Sequence, residues 1–368
     1  MSASRFTRRS ILAAGATVAP AAAVSLQNAT GIAALPQVSA AGAASIKIVT
    51  MYKFEPHEVE RIQAAAAEDT KVNLVVCSTR EEFRSQLRDA DAVYGDLRGA
   101  DLDYAPKVKW LQAGGAGMEN MDDKFRESPI VTTNYQRTFA PGISETAIGM
   151  LLCLSRGIVK NYLPQFYRNK TNNPVGTAKS DDHLEMVGRT MGIVGMGGIG
   201  NAIARRAKWG LDMHIIAIDA KPMAKPDHVD ELHDPAYLMK MVPQVDVLVA
   251  AAPHTRQTER MFNEKVFRSM KKTAYFLAMS RGMLYDENAL TRALKEGWIA
   301  GAGLDVFPKE PVPPGHPIFD CDNVIMSAHT SGWSPDRQVR LIDVFADNVR
   351  RFTAGLPLMS VVDKQKGY

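Results

Sequence analysis

The sequence predicts an α/β protein built from two doubly wound parallel-sheet domains, one inserted into the other. Three observations predict it. β-like runs alternate with helical runs in two separate series, a glycine-rich turn opens the second series, and a last long helix follows the final strand of that second series. The 368 residues suffice for two or three domains of ordinary size. With 46% hydrophobic and 23% charged residues, the composition is globular and excludes a disordered, collagen-like or coiled-coil chain. A formal charge of +4 is too small to argue for a nucleic-acid partner.

The first 45 residues read as a leader. MSASRFTRRS is basic, ILAAGATVAPAAAVSL is weakly apolar, and small residues follow, with no charged residue between Arg9 and Lys47. Within it, Thr7-Arg8-Arg9-Ser10-Ile11-Leu12 resembles the twin-arginine signal, a bacterial route that exports folded proteins. The expectation is a periplasmic protein cut after Val38-Ser39-Ala40, the alternative an uncleaved leader and a cytoplasmic protein. The middle is too rich in Ala and Gly, and too broken by Pro20, for a stable membrane anchor. A cut there removes Arg5, Arg8 and Arg9, so the mature chain is nearly neutral.

After the leader, IKIVTMY reads as a strand, EPHEVERIQAAAAE as a helix, VNLVVCS as a strand and EEFRSQLRDA as a polar helix. AVYGDL and VKWLQAGGAG are the next strands. One long helical pattern runs from Gly142 to Lys170, and a polar loop, TNNPVGTAKSDDHLEMVGR, separates it from the second series. That series begins at TMGIVG and continues through helix NAIARRAKWG and strands MHIIAID, VDVLVAAA, AYFLAMS, GAGLDVF and NVIMSAH. The closing helix is SPDRQVRLIDVFADNVRRFTAG. The expected domains are 46–144 with 333–368, and 145–332. Cys77, Cys153 and Cys321 are scattered and odd in number, which argues against a disulfide framework or zinc site, and no metal is expected.

Gly195-Met196-Gly197-Gly198-Ile199-Gly200 matches GxGxxG in the context that gives it meaning, after a strand and at the start of a helix. Gly195 allows the tight turn, Gly197 lets the backbone approach a pyrophosphate, and Gly200 permits close packing of the helix. Gly198 and Ile199 complete the cradle. The helix N-terminus supplies free N–H groups for phosphate. Asp219, nineteen residues past Gly200, suits the hydroxyls of an adenosine ribose and repels a 2′-phosphate, so NAD is expected over NADP. Lys221 partly offsets that repulsion.

Three segments end successive strands: Leu277-Ala278-Met279-Ser280-Arg281-Gly282, Gly303-Leu304-Asp305 through Pro311, and Ser327-Ala328-His329-Thr330-Ser331-Gly332. They bring a cation, a carboxylate and an imidazole to one cleft. With LQAGGAGMENMD, GMGGIG, PHTRQTERMFN, AMSRG, GLDVFPKEP, HPIF, AHTSG and VVDKQKGY, the chain from Ile46 to Tyr368 resembles the D-isomer-specific 2-hydroxyacid dehydrogenases. The resemblance implies a Rossmann NAD-binding domain inserted into a flavodoxin-like substrate domain. It also implies hydride exchange between NAD(H) and a small 2-keto or 2-hydroxy acid of glyoxylate or hydroxypyruvate type, and a homodimer.

By the same resemblance Arg281, Glu310 and His329 are catalytic. Arg281 holds the carboxylate and carbonyl of the substrate, His329 donates the proton to the developing alkoxide, and Glu310 orients His329 and favours its imidazolium. Asp305, Met279, Ser280, Arg281, His329 and Gly332 match cofactor-facing positions. Gly114, Gly115, Ala116, Gly117 and Met118 match the substrate-carboxylate loop, whose small residues leave backbone N–H groups open as an anion nest. Asn134, Tyr135 and Arg137 fall at the hinge, with Arg137 where a glycine is common and so given no role. Trp333 either caps the substrate pocket or packs where the chain returns to the first domain. His316 and His254 are not expected to act as the acid. Two readings compete: a phosphite-oxidising relative with the same trio, and a nucleotide-sensing binding protein of the same fold.

Overall fold

The computed structural model describes residues 36–119, 121–170 and 183–368. The motif Thr7–Leu12 and residues 171–182 of the polar loop lie outside the described residues.

The first series builds β1 (Ser45–Thr50), α1 (Pro56–Ala64), β2 (Lys71–Val76), α2 (Arg80–Gln86), β3 (Ala92–Gly95), β4 (Trp110–Ala113), α3 (Asp123–Arg126) and β5 (Val131–Thr133). Its strands pair in parallel in the order β2-β1-β3-β4-β5, the flavodoxin-like order. α4 (Ala140–Ser155) and α5 (Leu163–Asn169) then cross to the second series.

That series comprises β6 (Thr190–Val194), α6 (Gly198–Leu211), β7 (His214–Ile218), β8 (Glu231–His233), α7 (Leu238–Met241), β9 (Val247–Ala250) and α8 (Glu264–Ser269). It continues through β10 (Tyr275–Ala278), α9 (Glu287–Lys295), β11 (Gly301–Leu304) and β12 (Val324–Met326). All seven strands are parallel, in the order β12-β11-β10-β9-β6-β7-β8, a Rossmann sheet extended by one strand.

Each sheet is covered on both faces. In the first, Phe54, Tyr94, Trp110, Phe345 and Phe352 pack ring against ring, with centroids 4.6–6.1 Å apart. Phe345 and Phe352 come from α10 (Pro335–Ala354), which follows the second sheet in sequence yet buries its apolar stripe on the first. Ser334 caps its start by accepting from the Arg337 N–H, and Gly355 ends it at φ +70°. This return makes the second domain an insertion.

The helical run expected from Gly142 to Lys170 is not continuous. α4 stops at Ser155, Gly157 takes φ +66°, and the segments on either side meet at a 60° bend. The strand expected through Gly117 ends at Ala113, because the glycines after it turn. The fold also starts ahead of the leader boundary at residue 45. The Ala40 N–H donates to the Phe352 carbonyl at 2.8 Å, and Gln37 accepts from the Leu358 N–H at 2.8 Å. Of the cysteines, only Cys77 is buried; all three are free.

Asp101 is wholly buried between Arg80 and Arg84 and also accepts from the Arg98 N–H. Burial pushes its carboxyl up, but the bonds from Arg84, Arg98 and Arg80 outweigh that and hold it below the usual carboxylate range. A carboxyl lowered by folding stabilises fully above its unfolded value and loses that contribution as pH falls through the folded one. D101N is therefore expected to cost about 3 kcal/mol at neutral pH. It should also flatten the loss of stability below about pH 4, as read by urea denaturation at a series of pH values.

Candidate active site

Because both sheets are parallel, their loops leave the carboxyl ends of the strands at one edge of each sheet. β10, β11 and β12 are neighbours, and the loops following them carry Arg281, Glu310 and His329. Close approach locks these loops together. A Cβ on Gly282 would lie 1.9 Å from the Phe307 carbonyl carbon, and Tyr285 donates to the Val306 carbonyl at 2.8 Å.

The His329 Nδ1–H donates to Glu310 Oε2 at 2.8 Å, and the other Glu310 oxygen accepts from the Phe307 N–H at 2.8 Å. A carboxylate can only accept, so the bond assigns the proton to Nδ1 and leaves Nε2 for exchange with a ligand. Both side chains are open, 45% and 35% exposed. His329 itself stands at φ +56°, an uncommon conformation for a non-glycine residue.

Asp305 holds it there. The His329 N–H donates to the Asp305 carbonyl at 2.8 Å. The Asp305 carboxylate, 1% exposed, accepts from Ser327 Oγ at 2.7 Å, the Thr330 N–H at 3.0 Å, the Ser331 N–H at 3.1 Å and Ser331 Oγ. The carboxylate is spent on the histidine loop. Met279 is buried in the core, and Ser280 donates to the Ala252 carbonyl at 2.7 Å, because both side chains turn inward at the end of β10. Gly332 faces Phe139 and Ile143 on the way into α4, with 3.3 Å from a would-be Cβ to Phe139.

The glycine loop fits a dinucleotide. Gly195 has φ +96° and packs against the backbone of Ala251 and Ala252. A Cβ on Gly200 would lie 1.9 Å from the Gly195 carbonyl oxygen, whereas Gly197 faces open space at the start of α6. Asp219, at the end of β7, accepts from the Met196 N–H at 2.6 Å and the Lys221 N–H at 2.7 Å. These two bonds leave lone pairs for ribose hydroxyls.

Lys221 lies over the Tyr368 ring, 4.2 Å from its centroid. Burial lowers its pKa, Asp219 opposes that, and the nearby Lys366 and Arg137 add to the lowering. Arg137 has φ +69°, the left-handed conformation that glycine takes most readily, and its Cα sits 2.6 Å from a would-be Cβ on Gly198. The hinge therefore closes onto the start of α6.

In the first domain, the loop Gly114–Met118 is pinned from behind. Asn134 Nδ2 donates to the Ala116 carbonyl at 2.8 Å, and the Tyr135 N–H donates to the Gly115 carbonyl at 3.1 Å. Tyr135 is buried, its hydroxyl 3.2 Å from that of Tyr94. Arg281 reaches this loop: its Nη2 would lie 2.0 Å from a Cβ on Gly117.

A residue without a sequence-based role meets it there. Glu119 Oε1 accepts from Arg281 Nε at 2.6 Å. Burial pushes the Glu119 carboxyl up, but the Arg281 bond and charge bring it below the usual range. The only sequence signal was an acidic residue directly after a proposed anion loop. Trp333 is 67% exposed, with the Arg337 guanidinium 5.5 Å from a ring centroid. His316 accepts from the Ile318 N–H in a turn. Among the described residues no group of side chains is arranged to hold a metal ion.

The family model of the D-isomer specific 2-hydroxyacid dehydrogenase NAD binding domain matches residues 148–331. The glyoxylate reductase of Korarchaeum cryptofilum is 35% identical over 278 residues, 73% of this chain and 82% of that protein. The glyoxylate reductase of Thermofilum pendens is 30% identical over 78% of this chain and 85% of its own length. Among solved structures, an NADPH-dependent glyoxylate/hydroxypyruvate reductase from Sinorhizobium meliloti, in complex with NADP and sulfate, superposes with a TM-score of 0.71 at 25% identity. The match covers 88% of this chain and all of that one.

Asp305 separates two roles experimentally. D305A leaves the Ser327, Thr330 and Ser331 donors without their acceptor and loosens the loop that presents His329, so turnover should fall by about 10². NADH affinity, measured by fluorescence titration, should change far less. A cofactor contact would give the reverse.

Proposed function

The chain belongs to the D-isomer specific 2-hydroxyacid dehydrogenases, and on that premise we propose that it reduces a small 2-keto acid of the glyoxylate or hydroxypyruvate kind with NADH. The class of reaction is oxidoreduction at a CH–OH carbon. The observation that carries the proposal is the His329–Glu310 pair, from the loops after the neighbouring strands β12 and β11, with Arg281 on the loop after β10, on the edge that also carries the glycine loop.

The residues divide the work. Gly195–Gly200 and the first N–H groups of α6 hold the pyrophosphate, and Asp219 holds the adenosine ribose. The bound nicotinamide supplies or takes up the hydride. Arg281 grips the substrate carboxylate and carbonyl, with Gly115, Ala116 and Gly117 offering backbone N–H groups to the same carboxylate. His329 carries the exchangeable proton at Nε2, giving it to the carbonyl oxygen in reduction and taking it back in oxidation. Glu310 fixes the ring through Nδ1.

Asp219, next to the glycine loop, supports NAD over NADP. The positive group formed by Lys221, Arg137 and Lys366 opposes it, and the S. meliloti structure is an NADP complex. Export rests on the Thr7–Leu12 motif and is tested by fractionating cells into periplasm and spheroplasts. A homodimer is the family expectation, and Phe166 and Tyr167, 57% and 65% exposed with ring centroids 5.2 Å apart, are apolar surface that such an interface would cover. Light scattering tests it.

NADH consumption with a panel of 2-keto acids tests the whole reading; binding without turnover on any of them overturns it. H329A should lose about 10²–10⁴ in turnover with NADH affinity nearly intact. D219A should narrow the ratio of kcat/KM for NADH to that for NADPH, read in the same assay. Equal use of the two cofactors by the wild type would place the choice with Lys221 and its neighbours.

A further inference from the structure

Arg281 is the cation proposed to grip the substrate carboxylate, yet it already holds a carboxylate. Glu119 Oε1 lies 2.6 Å from its Nε, and the pair spans the cleft, joining residues 162 apart in sequence. The two side chains are only 28% and 30% exposed. Gly117, in the anion loop, is hemmed by both: a Cβ there would lie 2.0 Å from Arg281 Nη2 and 2.6 Å from a Glu119 oxygen. The Glu119 carboxylate thus stands in the substrate's place, on the substrate's partner, against the substrate's loop. A 2-keto acid that docks on Arg281 through Nε must send Glu119 elsewhere, because two carboxylates cannot share one guanidinium edge.

His254 offers a destination. It follows β9, between the glycine-loop strand and the Arg281 strand in the sheet. Its Nε2 is buried and has no hydrogen-bond partner among the described residues. A buried polar atom left unpaired is costly and demands an explanation. His254 is also close enough to Glu119 that its charge contributes to holding that carboxyl low. Neither residue has a part in the mechanism above.

We propose that Glu119 is a positioning residue with two partners: it occupies Arg281 while the substrate site is empty and passes to the Nε2–H of His254 when a substrate carboxylate takes its place. The exchange needs no change of protonation, since a neutral imidazole with its proton on Nε2 donates to a carboxylate. It sets affinity for the keto acid, because each binding event exchanges the Glu119–Arg281 ion pair for a substrate–Arg281 ion pair and a Glu119–His254 hydrogen bond. It also selects against substrates with a second negative group near the first, which would meet the displaced Glu119.

The inference rests on the reading of Arg281 as the substrate anchor. Its test uses oxamate, a non-reducible keto-acid mimic, titrated calorimetrically into the NADH-loaded full chain, alongside kcat and KM for glyoxylate. E119Q removes the competing charge and should tighten oxamate roughly fivefold, the effect falling on KM more than on kcat. H254L should weaken oxamate, because Glu119 loses its second partner and stays on Arg281. H254Q keeps a donor and should restore much of the loss. In the E119Q background, H254L should have no effect of its own. E119A serves in place of E119Q if that variant does not fold. Weaker or unchanged oxamate binding in E119Q overturns the proposal, as does an H254L effect of the same size in both backgrounds or no saturable oxamate binding at all. A chain that binds oxamate in the expected pattern but reduces no 2-keto acid overturns only the reading of its activity.

Discussion

Parallel strand direction is the constraint on which the rest depends. With every strand in both sheets running the same way as its neighbours, the loops that leave the carboxyl ends of each sheet gather at one edge. Neighbouring strands lie about 4.8 Å apart. Residues from β10, β11 and β12 therefore converge without any loop having to be long. The Gly195–Gly200 turn and Asp219 leave the same edge from β6 and β7. The glycine turn and the His329–Glu310 pair share one face as a consequence of direction alone.

Within that frame, burial decides what each carboxylate does. Asp305 is sealed in, and its oxygens are fully engaged by the hydroxyls and N–H groups of the histidine loop, so it shapes backbone and touches nothing outside. Glu310, on the loop after the same strand, is a third exposed and spends one oxygen on its own turn and the other on the imidazole. Glu119 comes from the opposite domain and meets a guanidinium. Three identical functional groups thus meet three different surroundings: a sealed ring of loop donors, a turn and an imidazole, and a guanidinium. The difference lies in solvent access and in the donors each one faces.

Much of the fold was legible because its signals are local. Two series of β and α runs, GxGxxG between a strand and a helix, and a capped helix of twenty residues after the last strand are patterns within a few turns of chain. β5 and β8 escaped notice because three residues are too few to show a period of two. The break at Gly157 escaped because the apolar pattern continues on both sides of it, and only the left-handed backbone marks the bend.

The candidate site divides along the same line. The sequence by itself determined the residue types and their order: glycine turn, Asp219, Arg281, Glu310 and His329, each at the end of a strand. Only the tertiary structure decided which way side chains point and which distant groups meet. Met279 and Ser280 stand beside Arg281 in the chain, yet at the end of β10 they face the core and the neighbouring strand. Glu119 and Arg281 touch although 162 residues separate them. The physical reason is range. Periodicity and turn chemistry act between residues a few positions apart, whereas desolvation and ion pairing act between whatever the packed sheets bring within a few ångströms.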